Sequence, residues 1–214
     1  MEEREIQSKK RYILAFAIGT AIFLFIFMVS YSFSYFEFQR ISSLQGETAY
    51  EIFKDKLDNS LFSQENCSQE IYFKVSEDLG FQGQIINDLE KKLGKNNQEV
   101  LFQKKFYSMI ELEHFEFVKE MNKKCDQNIQ IIFFFYSNEK SEEDYSEDLG
   151  RLLDKVVERN PNLVIYSFDT NLDADLIKKL KKKYNVEEPN TLILNEEEKL
   201  VNPKGFLEIE EKLN

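Results

Sequence analysis

Few side chains in this chain are of types that perform chemistry: 214 residues contain two cysteines and one histidine. Cys67 and Cys125 are the only thiols, and they stand far apart. Exchange-active dithiols usually sit close together at a helix N-terminus, where the thiolate is stabilised, and this pair has no such signature. Three states are open to it: a structural disulfide, two free thiols, or a pair that exchanges electrons with substrates. The structural disulfide is the reading adopted here. It would persist outside the cytoplasm, and by closing a loop of roughly 60 residues it would contribute roughly 4 kcal/mol. Asn66-Cys67-Ser68 also fits the N-glycosylation triplet, a pattern that often arises by chance.

His114 lies in Glu113-His114-Phe115-Glu116 on a predicted helix. A lone histidine without a nucleophile motif reads as a surface residue rather than a ligand or base. Asp169, Asp173 and Asp175 follow a predicted strand, in a loop position where sites often occur. Asp169-Thr170-Asn171-Leu172-Asp173 reads instead as a turn and helix N-cap. The glycine and terminal glutamate of a calcium loop are absent. The sequence contains no GxGxxG, GxxxxGK[ST] or GxSxG. Two cysteines and one histidine exclude a four-thiolate zinc site and a multi-histidine centre, so no metal and no cofactor is expected. A net charge of −11 argues against sequence-independent nucleic-acid binding, which needs clustered Lys and Arg. The expected partners are the lipid bilayer and one or more proteins.

Four regions carry these residues. Residues 1–11 form a short N-terminus with Arg4, Lys9, Lys10 and Arg11. Residues 12–36, YILAFAIGTAIFLFIFMVSYSFSYF, contain no charge and are long enough to span a hydrocarbon core as a helix. The bulky far flank, Ser34-Tyr35-Phe36-Glu37-Phe38, does not resemble a signal-peptide cleavage site. Basic residues cluster before the span and only Arg40 follows closely, so the N-terminus is expected in the cytoplasm and the rest outside. Residues 37–126 show helical spacing: Tyr50, Phe53, Leu57 and Leu61; then Ile71, Val75 and Leu79 behind a Ser68 N-cap; then Ile85, Ile86, Leu89 and Leu93. Gly80 and Gly83 predict a bend or break. A further helix is expected from Gln98 to Lys124, with Leu101, Phe106, Ile110, Phe117 and Met121 among its apolar positions. The simplest reading is a short helical hairpin beside the membrane, stapled by Cys67 and Cys125.

Residues 127–214 alternate between strand and helix. Ile129 to Ser137 is a continuous apolar run, as in a buried central strand. Glu142 to Arg159 is helical and stops at Asn160-Pro161-Asn162. Leu163 to Phe168 is a second buried strand, and Leu172 to Tyr184 a second helix with a solvated lysine face. Thr191–Leu194 and Lys199–Val201 are short strands, and Phe206–Leu213 closes the chain. The order β-α-β-α-β-β-α predicts an α/β unit, a small mixed sheet covered by helices.

This order of elements resembles the thioredoxin-like superfamily over residues 127–214. Tyr136-Ser137-Asn138-Glu139 is similar to the strand end that leads, in redox-active relatives, into a Cys-x-x-Cys motif. The corresponding positions here are Lys140-Ser141-Glu142-Glu143, without either cysteine. The surrounding acidic patch, Glu139, Glu142, Glu143, Asp144, Glu147 and Asp148, would raise a thiol pKa rather than lower it. The family's cis-proline precedes a Thr and an apolar run. The segment here is Pro189-Asn190-Thr191-Leu192-Ile193-Leu194, which places Asn190 at the proline position, or else lengthens the loop by one residue after Pro189. A non-proline cis bond costs about 2.5–4 kcal/mol, so Asn190 is expected to be trans. The resemblance therefore implies the fold and not the oxidoreductase activity. It points to a membrane-anchored, redox-inactive binding or assembly module at the outer face. The alternatives are a membrane-tethered oxidoreductase that uses Cys67 and Cys125, or a structural accessory subunit held by its anchor helix.

Overall fold

The computed structural model describes residues 2–62, 69–125 and 127–213. Helix α1 (Glu2–Phe62) is a single helix of 61 residues. It contains one stretch, Lys10–Gly46, long and apolar enough to cross a membrane, and none of its most apolar window is buried. Side chains there, such as Phe16, Phe23, Phe25 and Phe27, are exposed. A chain of this length in water would not leave so many phenylalanines uncovered, so the stretch suits lipid.

The helical region is not a two-helix hairpin. α1 runs on past its apolar stretch and packs with α2 (Gln69–Leu93) and α3 (Gln98–Lys124). Ile41 of α1 is fully buried against Ile86, Leu89 and Val100. Gln45, one turn further on, donates from Nε2 to the Gln103 carbonyl at 3.4 Å. α1 and α3 therefore rise in parallel, with α2 antiparallel between them. The hairpin expectation fails because α1 does not end with its apolar stretch but continues and packs on α2 and α3. Tyr50, expected on an apolar face, is exposed. The side chains of Phe53, Leu57, Leu61 and Ile71, together with Asn66, Cys67 and Ser68, lie outside the described residues.

Gly80 and Gly83 do not break α2. At Gly83 the role is space rather than bending: a Cβ there would lie 3.1 Å from the Tyr107 hydroxyl. That hydroxyl passes the glycine and donates to the Leu79 carbonyl at 3.0 Å. α3 starts at Asn97, whose side chain accepts from the Glu99 N–H at 2.9 Å, a standard N-cap contact.

After α3 the elements follow the order the sequence pattern predicts: β1 (Gln130–Tyr136), α4 (Glu143–Arg159), β2 (Leu163–Asp169), α5 (Asp175–Lys183), β3 (Thr191–Leu194), β4 (Glu198–Val201) and α6 (Phe206–Leu213). The sheet order is β2-β1-β3-β4. β1 pairs in parallel with β2, Ile132 opposite Ile165. It pairs antiparallel with β3, which pairs antiparallel with β4. β1 is thus central, which explains its unbroken apolar run. Alternation splits that run between two cores. Ile131, Phe133 and Phe135 pack with Phe115, Val118 and Met121 of α3 and with Ile177 and Leu180 of α5. Ile132 and Phe134 pack with Leu149, Leu153 and Val156 of α4 and with Ile209 and Leu213 of α6.

Candidate functional site

The carboxyl ends of β1 and β2 lie side by side, Tyr136 opposite Asp169. In open α/β sheets this end, where crossovers leave the sheet, is where sites form. The chain beyond β1 bends through Ser137 and Asn138 into α4, and the chain beyond β2 turns through Asn171 into α5. Asn171 ties the two: its Oδ1 accepts from the Ser137 hydroxyl at 2.8 Å and from the Asn138 N–H at 2.9 Å. Its Nδ2 donates to Glu139 at 2.9 Å.

Beneath these loops sits a buried charged cluster. Lys104 of α3 is 3% exposed and bridges two carboxylates. Its ammonium bonds Glu90 of α2 at 2.7 Å and, more closely, Asp169 at the end of β2. Asn138 donates its side-chain amide to both of the same oxygens, 3.2 Å from Glu90 and 2.9 Å from Asp169. One cation facing two carboxylates leaves negative charge in excess, and the amide of Asn138 offsets part of it. The ammonium also lies 5.2 Å from the centre of the Tyr136 ring, within cation–π range. Further out, Lys95 in the α2–α3 turn donates to Asn138 at 3.2 Å and to Glu143 at 2.6 Å.

A second buried polar group lies higher on α3. Glu111 is 1% exposed, and its Oε1 accepts from the Ser167 N–H of β2 at 2.8 Å. Desolvation raises its pKa well above the ordinary carboxylate value, and the Ser167 bond only partly opposes this. Its other oxygen has no hydrogen-bond partner among the described residues. His114 is fully buried, not on the surface as expected. Its Nδ1 lies 3.0 Å from the Tyr166 hydroxyl, and desolvation lowers its pKa to about 3. It is therefore a neutral core imidazole at physiological pH. The sequence expectation failed because the face of α3 that carries His114 is covered by Ser76 of α2 and Tyr166 of β2.

Lys140 to Glu143, the four positions that the resemblance set against a Cys-x-x-Cys motif, fall at the start of α4. Lys140 and Ser141 are exposed, and Glu142 and Glu143 are half-buried. Glu142 accepts from Asn190 Nδ2 at 3.2 Å, and Glu143 is the partner of Lys95. Across from them Asn190 is fully buried, with φ 55. Proline, fixed near φ −65°, could not take that conformation, whereas asparagine tolerates it. Ser146 donates to Asn190 Oδ1 at 2.6 Å and accepts from the Ser137 N–H at 3.0 Å. Ser146 thus joins the loop before β3 to the end of β1. Thr191 is buried, and its hydroxyl donates to the Glu188 carbonyl at 2.8 Å, while Pro189 is half-buried. No cis peptide occurs among the described residues.

Asp169, Asp173 and Asp175 do not act together. Asp169 belongs to the buried cluster and makes the expected turn, accepting from the Asn171 N–H at 2.9 Å. α5 starts at Ala174 without a side-chain cap, so the cap reading of this segment does not hold. Asp173 pairs instead with Lys178. Among the described residues no group of three His, Cys, Asp or Glu side chains is placed to hold a metal ion. Cys125 ends α3, half-buried, while Cys67 lies outside the described residues.

Lys104, Glu90 and Glu111 were not singled out from the sequence. The signal was present on α3: Lys104, Ser108, Glu111, Phe115 and Val118 fall at spacings of three and four, so the polar residues extend a buried apolar stripe. The arrangement holds α2 and α3 onto the strand ends and leaves Lys140 and Ser141 exposed. On α3, His114 Nε2 lies 3.5 Å from the Ser76 hydroxyl of α2.

The chain matches no protein-family model, no curated protein and no solved structure.

Proposed function

We propose that this chain is a single-pass membrane protein whose outer portion is a redox-inactive, thioredoxin-like binding or assembly module. The observation that carries the reading is the state of the four motif positions. Glu142 and Glu143 hold Asn190 and Lys95 in place, so half of the motif serves as structural tether. The sheet order, with β1 and β2 parallel and β3 and β4 antiparallel, supports the thioredoxin-like reading. The long apolar stretch in α1 supports the anchor, and the basic N-terminus supports an outward-facing module. A disulfide from Cys125 to Cys67 would tie the end of α3 to the α1–α2 connection, and no described cysteine is a free thiol.

The test uses the full chain in detergent micelles. A protein disulfide such as insulin, offered with dithiol reductant, should be reduced no faster than in reductant alone. Acceleration that disappears in Cys67→Ser or Cys125→Ser would replace this reading with a tethered oxidoreductase. Maleimide mass-tagging in intact cells tests the orientation: both cysteines should resist tagging until reduced, and rapid tagging without reductant would count against an external disulfide.

A further inference from the structure

The direction in which the module faces follows from two contacts and one sequence boundary. Ile41 packs on Val100, Gln45 bonds Gln103, and the uncharged stretch ends at Phe36. α3 therefore begins at the level of the membrane boundary and rises away from it. Phe102 lies beside residues 43 and 44, roughly 12 Å beyond Phe36 at 1.5 Å per residue. Helical side chains lean toward the helix N-terminus, so its ring points back toward the bilayer by several ångströms.

Phe102 is 62% exposed, on the open face of α3 that also carries Lys105 and Met109. Lys105 is exposed one turn above it. The β2–α5 loop reaches this same end of α3, because Asp169 at the end of β2 bonds the buried Lys104. An exposed aromatic ring with a lysine beside it is the composition of interfacial protein surfaces. The headgroup zone extends about 5–7 Å beyond the hydrocarbon on each side. Transmembrane helices tilt by about 20° on average, and over the width of one packed helix such a tilt lowers the ring by a few more ångströms.

We propose that the corner formed by Phe102 and Lys105 rests on the lipid headgroup region, so that the module leans onto the membrane on its α3 side. This rests on the reading of α1 as a membrane span. Lipid phosphates supply the charge complement to Lys105, and the end of the span supplies the proximity.

The chain contains no tryptophan, so a single introduced one reports its own position. Full-length Phe27→Trp, Phe102→Trp, Met109→Trp and Leu207→Trp would be reconstituted in vesicles of phosphatidylcholine and phosphatidylglycerol, with and without bromine near the headgroup end of the acyl chains. Phe27 is the control for the span, and Leu207, exposed on α6, is the control for solvent. Met109 is exposed on the same helix as Phe102, two turns and about 10 Å higher. The expected result is about a twofold loss of emission for Phe102→Trp with a blue shift, and little loss for Met109→Trp or Leu207→Trp. Quenching at 27 but not at 102 would overturn the proposal and leave the anchor standing. Equal quenching at 102 and 109 would also overturn it, because α3 would then lie flat on the surface. Absence of quenching at 27 would remove the anchor and the proposal together.

Discussion

On the side of the sheet covered by α4 and α6, the buried cluster is apolar, from Ile132 and Phe134 to Leu153 and Ile209. On the side closed by α3 and α5, the aromatic core around Phe133 and Tyr166 gives way toward the end of β2 to Lys104, Asp169 and Glu111, with Glu90 reaching in from α2. The two covers do different work. Apolar packing gains from the area removed from water and tolerates small shifts of the covering helix. A lysine that must meet Glu90 and Asp169 at once does not, since a slide of one turn, about 5.4 Å, would leave all three charges buried and unpaired. We read the charged side as setting the register of α3, and the apolar side as supplying most of the stability.

The sharpest break of that contrast is Lys104→Met. It keeps the volume but leaves two buried carboxylates without their cation, and should cost about 3–5 kcal/mol. Lys104→Met combined with Glu90→Gln and Asp169→Asn should recover much of that loss. Leu153→Ala, the matched lesion on the apolar side, should cost about 2–5 kcal/mol with no partner substitution that restores it. Denaturant unfolding of the detergent-solubilised chain reads both. A triple variant as unstable as the single one would sink the register argument.

The next contrast is in pH. His114 titrates near 6.5 when unfolded but only near 3 in the fold. Its depressed folded value means that the unfolded chain binds one more proton between these limits. Stability should therefore be complete above about pH 6.5 and fall toward pH 3 by about 1.4 kcal/mol per unit from this residue. Glu111 acts with the opposite sign. Its raised pKa favours the fold below the ordinary carboxylate range, and that contribution is lost as pH rises through the folded value. His114→Gln should flatten the acid limb, and Glu111→Gln should flatten the alkaline one. Thermal unfolding across a pH series separates the two, and an unchanged acid limb in His114→Gln would contradict the assignment.

A smaller effect is expected at Asn190. Both Asn190→Ala and Asn190→Gly lose the bonds to Ser146 and Glu142, but only alanine resists a positive φ. Alanine should be the worse by about 1 kcal/mol. The smallest effect is expected at Lys95, whose pair with Glu143 is partly exposed: Lys95→Ala should cost about 0.2–1 kcal/mol.

The strands of the α/β unit were legible because burial on both faces writes itself as an unbroken run, as in Ile131 to Phe135. The charged cluster was not, because what buries Lys104 lies elsewhere in the chain. Glu90 is 14 residues away and Asp169 is 65, and nothing within the turn around Lys104 marks it as different from Lys105. His114 was misread for the same reason. Asn190 was half legible: its mismatch with a proline pattern was visible, but the left-handed backbone that gives the mismatch its reason was not.

The contact of Ile41 and Gln45 with Val100 and Gln103 also sets an order of events during synthesis. These two α1 residues are made early, yet their cover does not exist until the chain has grown through α2 and into α3. For that interval the first helix carries an open apolar and amide surface just beyond its long apolar stretch. The module therefore cannot finish folding by stepwise addition from its N-terminus. Its first helix is closed only from behind, by a segment made some sixty residues later, and a chain halted before Gln98 would leave that strip open to whatever lies beside it.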